Sequence, residues 1–153
     1  MKHRFVLDVM VVYFAIEEKD DRGEADQTCA ELIRLIGANC HSIMVDRVLA
    51  DKYWAHVGKL FGKPPLLTPT SFFITQVLAN SSKLIRENAE APELPAGVDV
   101  PREDEYVVRA ALISNSIVVT AERKLLNAIN SRAADLRLKA VTPAEALELA
   151  KDK

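Results

Sequence analysis

The chain has 153 residues, 49% of them apolar and 27% charged, which is enough for one domain around a single core and is an ordinary globular composition. A net charge of −2 and a sequence pI near 5.9 exclude a basic protein that coats nucleic acid. They leave room for a nuclease, because bound cations can meet a phosphate where side chains do not.

Taken in chain order, the first segment is the apolar run Phe5-Val6-Leu7-Asp8-Val9-Met10-Val11-Val12, apolar on both faces and interrupted by one charge. Such a run reads as a strand in the middle of a sheet, with residues 4–8 as its core. An unpaired charge there would cost several kcal/mol, roughly, so Asp8 needs a partner. Either it caps the next element, or it belongs to a polar site at the strand's carboxyl end, where open α/β sheets place their ligands. The basic start Met1 to Arg4 followed by Phe5 to Ile16 has the outline of a signal peptide. Asp8 breaks that stretch, and Glu17-Glu18-Lys19-Asp20-Asp21 stands where a small-residue cleavage site belongs, so the expectation is a cytoplasmic chain with no leader and no membrane span.

Residues 24–37 carry Cys29, Leu32, Ile33 and Ile36 at helical spacing, with Gly37 as terminator. Ser42 to Val45 reads as a strand. A helix from Arg47 to Phe61 comes next, with Ala50, Trp54, Val57 and Phe61 as its face, and Gly62-Lys63-Pro64-Pro65 ends it. Thr70 to Glu87 reads as one helix and residues 88–102, rich in proline, as a long loop of the functional kind. Then come a helix from Glu103 to Asn115, a strand from Ile117 to Thr120, a helix from Glu122 to Arg132 and a strand near Leu136 to Val141. Thr142-Pro143-Ala144-Glu145 supplies an N-cap, a first-turn proline and a capping-box glutamate for the last helix. Strands separated by helices predict a parallel sheet covered on both faces, in a single domain over residues 1–153.

Four acids fall where that architecture can gather them. Asp8 ends the first strand and Glu122 comes just after the strand Ile117 to Thr120, so both leave the same sheet edge. Asp51 borders the expected stripe of its helix beside Val48 and Trp54. Asp104 opens a helix and shares a face with Val107, Val108 and Ala111. Converging carboxylates repel each other, and Mg²⁺ or Mn²⁺ compensates them while binding phosphate oxygens and activating water. Each acid also has a plainer use: Asp104 and Glu122 complement a helix dipole in a first turn, and Asp51 pairs with Arg47 one turn earlier. The plainer reading is weakest for Asp8.

The strand ending in Asp8, the acid within "LADKYW", the acid of "EDEYVVRAAL", the segment "SIVVTAERKLL" and the junction "VTPAEAL" together resemble the PIN domain, in the right order over nearly the whole chain. The resemblance implies a three-layer α/β/α fold around a mainly parallel five-stranded sheet. It also implies a metal-dependent endoribonuclease with Asp8, Asp51, Asp104 and Glu122 as its metal acids. Water would attack phosphorus in line, leaving a 5′-phosphate and a 3′-hydroxyl. The chain departs from the family pattern at Val9 and Met10, where a hydroxyl or amide residue is usual after the first aspartate. Glu122 stands in place of aspartate and Asp51 in place of glutamate.

Thr120 is placed to hydrogen-bond an acid or a water, and Arg47, Lys52, Lys59, Lys63, Arg123 and Lys124 to rim an RNA groove. His3, His41 and His56 show no metal-ligand spacing, and Cys29 and Cys40 read as buried apolar thiols rather than a disulfide. Tyr53 and Trp54 read as core. Two other functions stay open: a scaffold of the same fold that binds RNA or protein without cutting, and the nuclease half of a toxin–antitoxin pair masked by a small protein partner. A homodimer stays open too.

Overall fold

The computed structural model describes residues 1–61, 69–90 and 92–153, without the side chains of residues 56–61 and 71. Its elements are β1 (Arg4–Leu7), α1 (Val9–Glu17), α2 (Thr28–Ala38), β2 (Ser42–Val45), α3 (Arg47–Phe61), α4 (Pro69–Ala79), β3 (Leu84–Arg86), a 3₁₀ turn (Arg102–Asp104), α5 (Glu105–Ser114), β4 (Ile117–Val119), α6 (Arg123–Asn130), α7 (Ala133–Leu136), β5 (Ala140–Val141) and α8 (Pro143–Ala150).

The five strands form one sheet in the order β3-β2-β1-β4-β5, and every pairing is parallel. Phe5, Val6 and Leu7 of the central strand are fully buried, as a strand covered on both faces requires. α1, α2, α4 and α8 pack with one another, while α5 lies on β1, β2 and β4, and α6 on β5. The result is a three-layer α/β/α architecture. Among the described residues no helix is long and apolar enough to cross a membrane.

The strand order places a topological switch beside β1. From β1 the chain moves to β2 on one side, and it later returns to place β4 on the other. Open parallel sheets bind ligands at the carboxyl ends of the strands at such a point. Here those ends belong to β1 and β4, whose register pairs Leu7 with Val119. The next residues along the two chains are Asp8 and Thr120.

Four elements differ from the sequence reading. The apolar run splits at Asp8 into a strand and a helix, because α1 is apolar even at exposed Met10 and so shows no polar face to set it apart from the strand. The helix expected over Thr70 to Glu87 stops at Ala79. Asn80 accepts from the Lys83 and Leu84 amides through its carbonyl and from Ser82 through its side chain, turning the chain into β3. Only Ala140–Val141 remain of the last expected strand, since Leu136 closes α7 and Arg137 takes a left-handed backbone. Gly37 does not end α2; it lets α4 approach, since a Cβ there would stand 2.8 Å from Val77 Cγ2. The capping box at Thr142 is present in both of its hydrogen bonds.

Candidate functional site

Asp8 alone joins β1 to α1, so its position is fixed from both sides. Its amide donates to the Val119 carbonyl at 2.9 Å, and its carbonyl accepts from the Val11 amide at 2.9 Å. The preceding carbonyl, of Leu7, accepts from the hydroxyl of buried Tyr53 on α3. β1 and β2 pair only at Arg4 and Phe5, so Tyr53 satisfies a carbonyl that the ladder has left behind.

Asp8 is buried, with 4% of the residue exposed. Its Oδ2 accepts from Thr120 Oγ1 at 2.9 Å, and the same Oγ1 accepts from the Glu122 amide at 3.0 Å. Thr120, fully buried, therefore ties the first acid to the backbone of the last. Burial pushes the Asp8 carboxyl above the ordinary carboxylate range; the Thr120 hydroxyl pulls it back, and the Glu122 charge adds to the push.

Asp104 ends the 3₁₀ turn, its amide donating to the Pro101 carbonyl at 2.8 Å. Its backbone, at φ −109° and ψ −2°, lies near the sparsely populated bridge region in which many active-site residues sit. Burial pushes its carboxyl up to about 7, helped by the neighbouring Glu122 and by the charge of Asp8. Asp104 Oδ2 is buried and has no hydrogen-bond partner.

Of the four predicted acids, Asp8, Asp104 and the exposed Glu122 lie near enough at the switch point for their charges to act on one another. Asp51 stays apart. The buried row of α3 is Leu49, Ala50 and Tyr53, whereas Val48 is 49% exposed and Trp54 is 38% exposed. Of the expected face, Ala50 is buried and Trp54 is not, the side chains of Val57 and Phe61 lie outside the described residues, and Asp51 itself is exposed. Asp51 is not among the leading charges acting on Asp8 or Asp104. Trp54 is accordingly not core, and Tyr53 is.

The structure adds two residues that sequence reasoning passed over. Tyr106, two positions after Asp104, has its hydroxyl pushed up by burial and by Asp8, Asp104 and Glu122, and Lys52 Nζ sits 4.5 Å from its ring centroid. Asp46 is buried at the N-terminus of α3, where its Oδ1 accepts from the Leu49 amide at 2.8 Å. An acid directly after the apolar strand Ser42–Val45 was the available signal for Asp46, the same signal that picked out Asp8.

Of the cations assigned to an RNA rim, Arg47 lines a cleft beside Tyr106, Lys124 lines a shallow depression with Asp99 and Asn127, and Arg123 is exposed at the start of α6. The side chain of Lys59 and the whole of Lys63 lie outside the described residues, as does the side chain of His56. His41 is structural: Nδ1 accepts from the His3 amide and Nε2 donates to the Asp152 carbonyl. Cys29 is buried, its thiol pushed up to about 12, but Cys40 is exposed rather than buried.

No family model matches the chain, and no curated protein matches it significantly. Among solved structures it aligns with a PilT N-terminus domain protein from the hyperthermophilic archaeon Sulfolobus solfataricus P2. The alignment covers 100% of this chain and 96% of that one, at 11% identity and a TM-score of 0.48. So distant a likeness carries no residue roles.

The donor set fits a hard divalent cation. It consists of carboxylate oxygens alone, held where like charges repel, with one buried oxygen that nothing else satisfies. Among the described residues no group of three or more His, Cys, Asp or Glu is placed to hold a metal ion. A cation here would rest on one or two carboxylates and take water for the remainder, as magnesium commonly does.

Proposed function

We propose that this chain is a PIN-like endoribonuclease dependent on Mg²⁺ or Mn²⁺, with Asp8 and Asp104 as the principal ligands and Glu122 as an outer or second ligand. The observation that carries the reading is the nearness of these three carboxylates at the switch point, with Asp104 Oδ2 left without a partner. A divalent cation held there supplies the charge that binds phosphate oxygens and favours attack by water. The protein's own groups do the rest. Thr120 keeps one Asp8 oxygen fixed. Burial and the neighbouring acids hold the Asp104 carboxyl above the ordinary carboxylate range, and a cation bound there would offset that repulsion. Lys52 and Arg47 stand on the Tyr106 side to meet the phosphates of a single strand.

The test is cleavage of single-stranded RNA with Mn²⁺ and with EDTA, combined with end analysis. The expected products carry 5′-phosphate and 3′-hydroxyl ends and form only with the metal. Glu122→Asp is expected to raise the rate or the metal affinity, because the extra methylene is a poorer fit to the family pattern, and Glu122→Gln to cost less than loss of Asp8. Complete loss of cleavage in Glu122→Asp would show that glutamate is the fitted residue here.

Three observations favour a second reading. Among the described residues no three acids are placed to hold a metal ion, Asp51 is exposed, and Met10 is 42% exposed where the family usually has a polar side chain. A scaffold that binds RNA without cutting it would have this appearance, and the same assay separates the two: RNA bound but intact in Mn²⁺ supports the scaffold.

A further inference from the structure

A cleft of about 750 Å³ opens at the carboxyl ends of β2 and β3, between the start of α3, the segment after β3 and the start of α5. Tyr106 forms one wall, so the cleft adjoins the acids without containing them. Its charges are mixed, and Arg109 among them is engaged by the Pro92 carbonyl. Among the described residues Arg47 and Arg102 make no ion pair with Glu87 or Glu105, and none of the four side chains is engaged elsewhere. Asp46 spends one oxygen on the Leu49 amide and lines the cleft as well.

Opposite charges that share a cleft unpaired suit a ligand that carries both an anion and hydrogen-bond donors. A guanidinium gives donors to phosphate oxygens in a fork, and a carboxylate only accepts. A nucleotide has both complements when its base bears an exocyclic amine: cytosine through N4, adenine through N6, guanine through N2. Uracil's only donor on that edge is N3–H, held between two carbonyl oxygens, so a carboxylate accepting from it is brought against a carbonyl oxygen. Tyr106, with Lys52 over its ring, makes the wall between this cleft and the acids, so a nucleotide seated here would lie next to a phosphate placed at Asp8 and Asp104.

We propose that this cleft seats the nucleotide next to the bond that is cut, with a phosphate on Arg47 and Arg102 and the base edge toward Glu87 and Asp46, and that it selects amine-bearing bases over uracil. The proposal rests on the ribonuclease reading and adds a base preference to it.

Fluorescence anisotropy of labelled hexacytidylate and hexauridylate, in EDTA so that neither is cut, reads the preference directly. Wild type should bind hexacytidylate about tenfold more tightly, within the discrimination that one well-made base contact provides. Glu87→Gln, at a half-buried position open to the cleft, should bring the two affinities together, since an amide can donate to a uracil carbonyl. Arg102→Gln should weaken both alike. Equal binding of the two oligomers by wild type, or a preference that survives Glu87→Gln, overturns the proposal. If the oligomers bind equally and Mn²⁺ still supports their cleavage, the cleft assignment fails and the ribonuclease reading stands. If neither is bound or cut, both fail.

Discussion

Asp8→Asn should lower Mn²⁺-dependent cleavage of single-stranded RNA by at least about a hundredfold, more than the loss expected when a group behind a metal ligand is removed. The substitution keeps the shape of a side chain that is almost wholly buried, and the amide can still accept from Thr120 Oγ1. What it removes is the charge. Circular dichroism should show an unchanged fold, and a gel assay with and without EDTA should show the loss. Cleavage that persists through both EDTA and the substitution would belong to a contaminant or to a different site.

The second large effect is on stability, and it changes sign with metal. The Asp104 carboxyl is pushed up to about 7 in the folded protein, against about 3.9 for an unfolded aspartate. A carboxyl raised in this way stabilises the fold fully below the unfolded value, and that contribution is lost as pH rises through about 7. Metal-free protein should therefore become less stable between about pH 4 and pH 8. Asp104→Asn should flatten the fall and melt about 3 °C above wild type at pH 8, the size of a 1 kcal/mol effect in a chain of this length. Millimolar Mn²⁺ should reverse the order, because an ion that binds only the folded state adds about 2.7 kcal/mol at a hundredfold excess over its dissociation constant. Thermal melts of the two proteins across pH, with EDTA and with Mn²⁺, check both halves. Melting temperatures that do not respond to either variable would mean that Asp104 and its neighbours do not act on each other.

The alternation of strands and helices made the parallel sheet legible, and the acid that ends an apolar strand made Asp8 legible, since each shows as a period or an interruption within one segment. What was not legible depended on rotation and on neighbours. The face of α3 was right at Ala50 and wrong at Trp54, and Asp51, read as bordering the buried stripe, is exposed. A helix turns about 100° per residue, so small errors of phase move a side chain across the boundary between core and solvent. The split of the first apolar run into β1 and α1 was hidden because α1 has no polar face to announce it. β3 was absorbed into the preceding helix, the turn at Asn80 being the only break between them. Tyr106 was missed for another reason: nothing in "EDEYVVRAAL" says that the tyrosine shares its surroundings with Asp8 and Glu122, which are distant in sequence and come near only when the sheet closes. The contact from Thr120 to Asp8 spans 112 positions and was foreseen only as a hydrogen bond to some acid.

The most direct test of the central claim is a Mn²⁺ titration of the intact protein, monitored by electron paramagnetic resonance of the free ion, for wild type, Asp8→Asn, Asp104→Asn and Asp51→Asn. Wild type should take up the ion at a carboxylate site, Asp8→Asn and Asp104→Asn should each weaken that uptake by about tenfold or more, and Asp51→Asn should match wild type. Uptake that is unchanged in Asp8→Asn and Asp104→Asn, or lost in Asp51→Asn, would contradict the assignment of the cation to the carboxylates at the switch point.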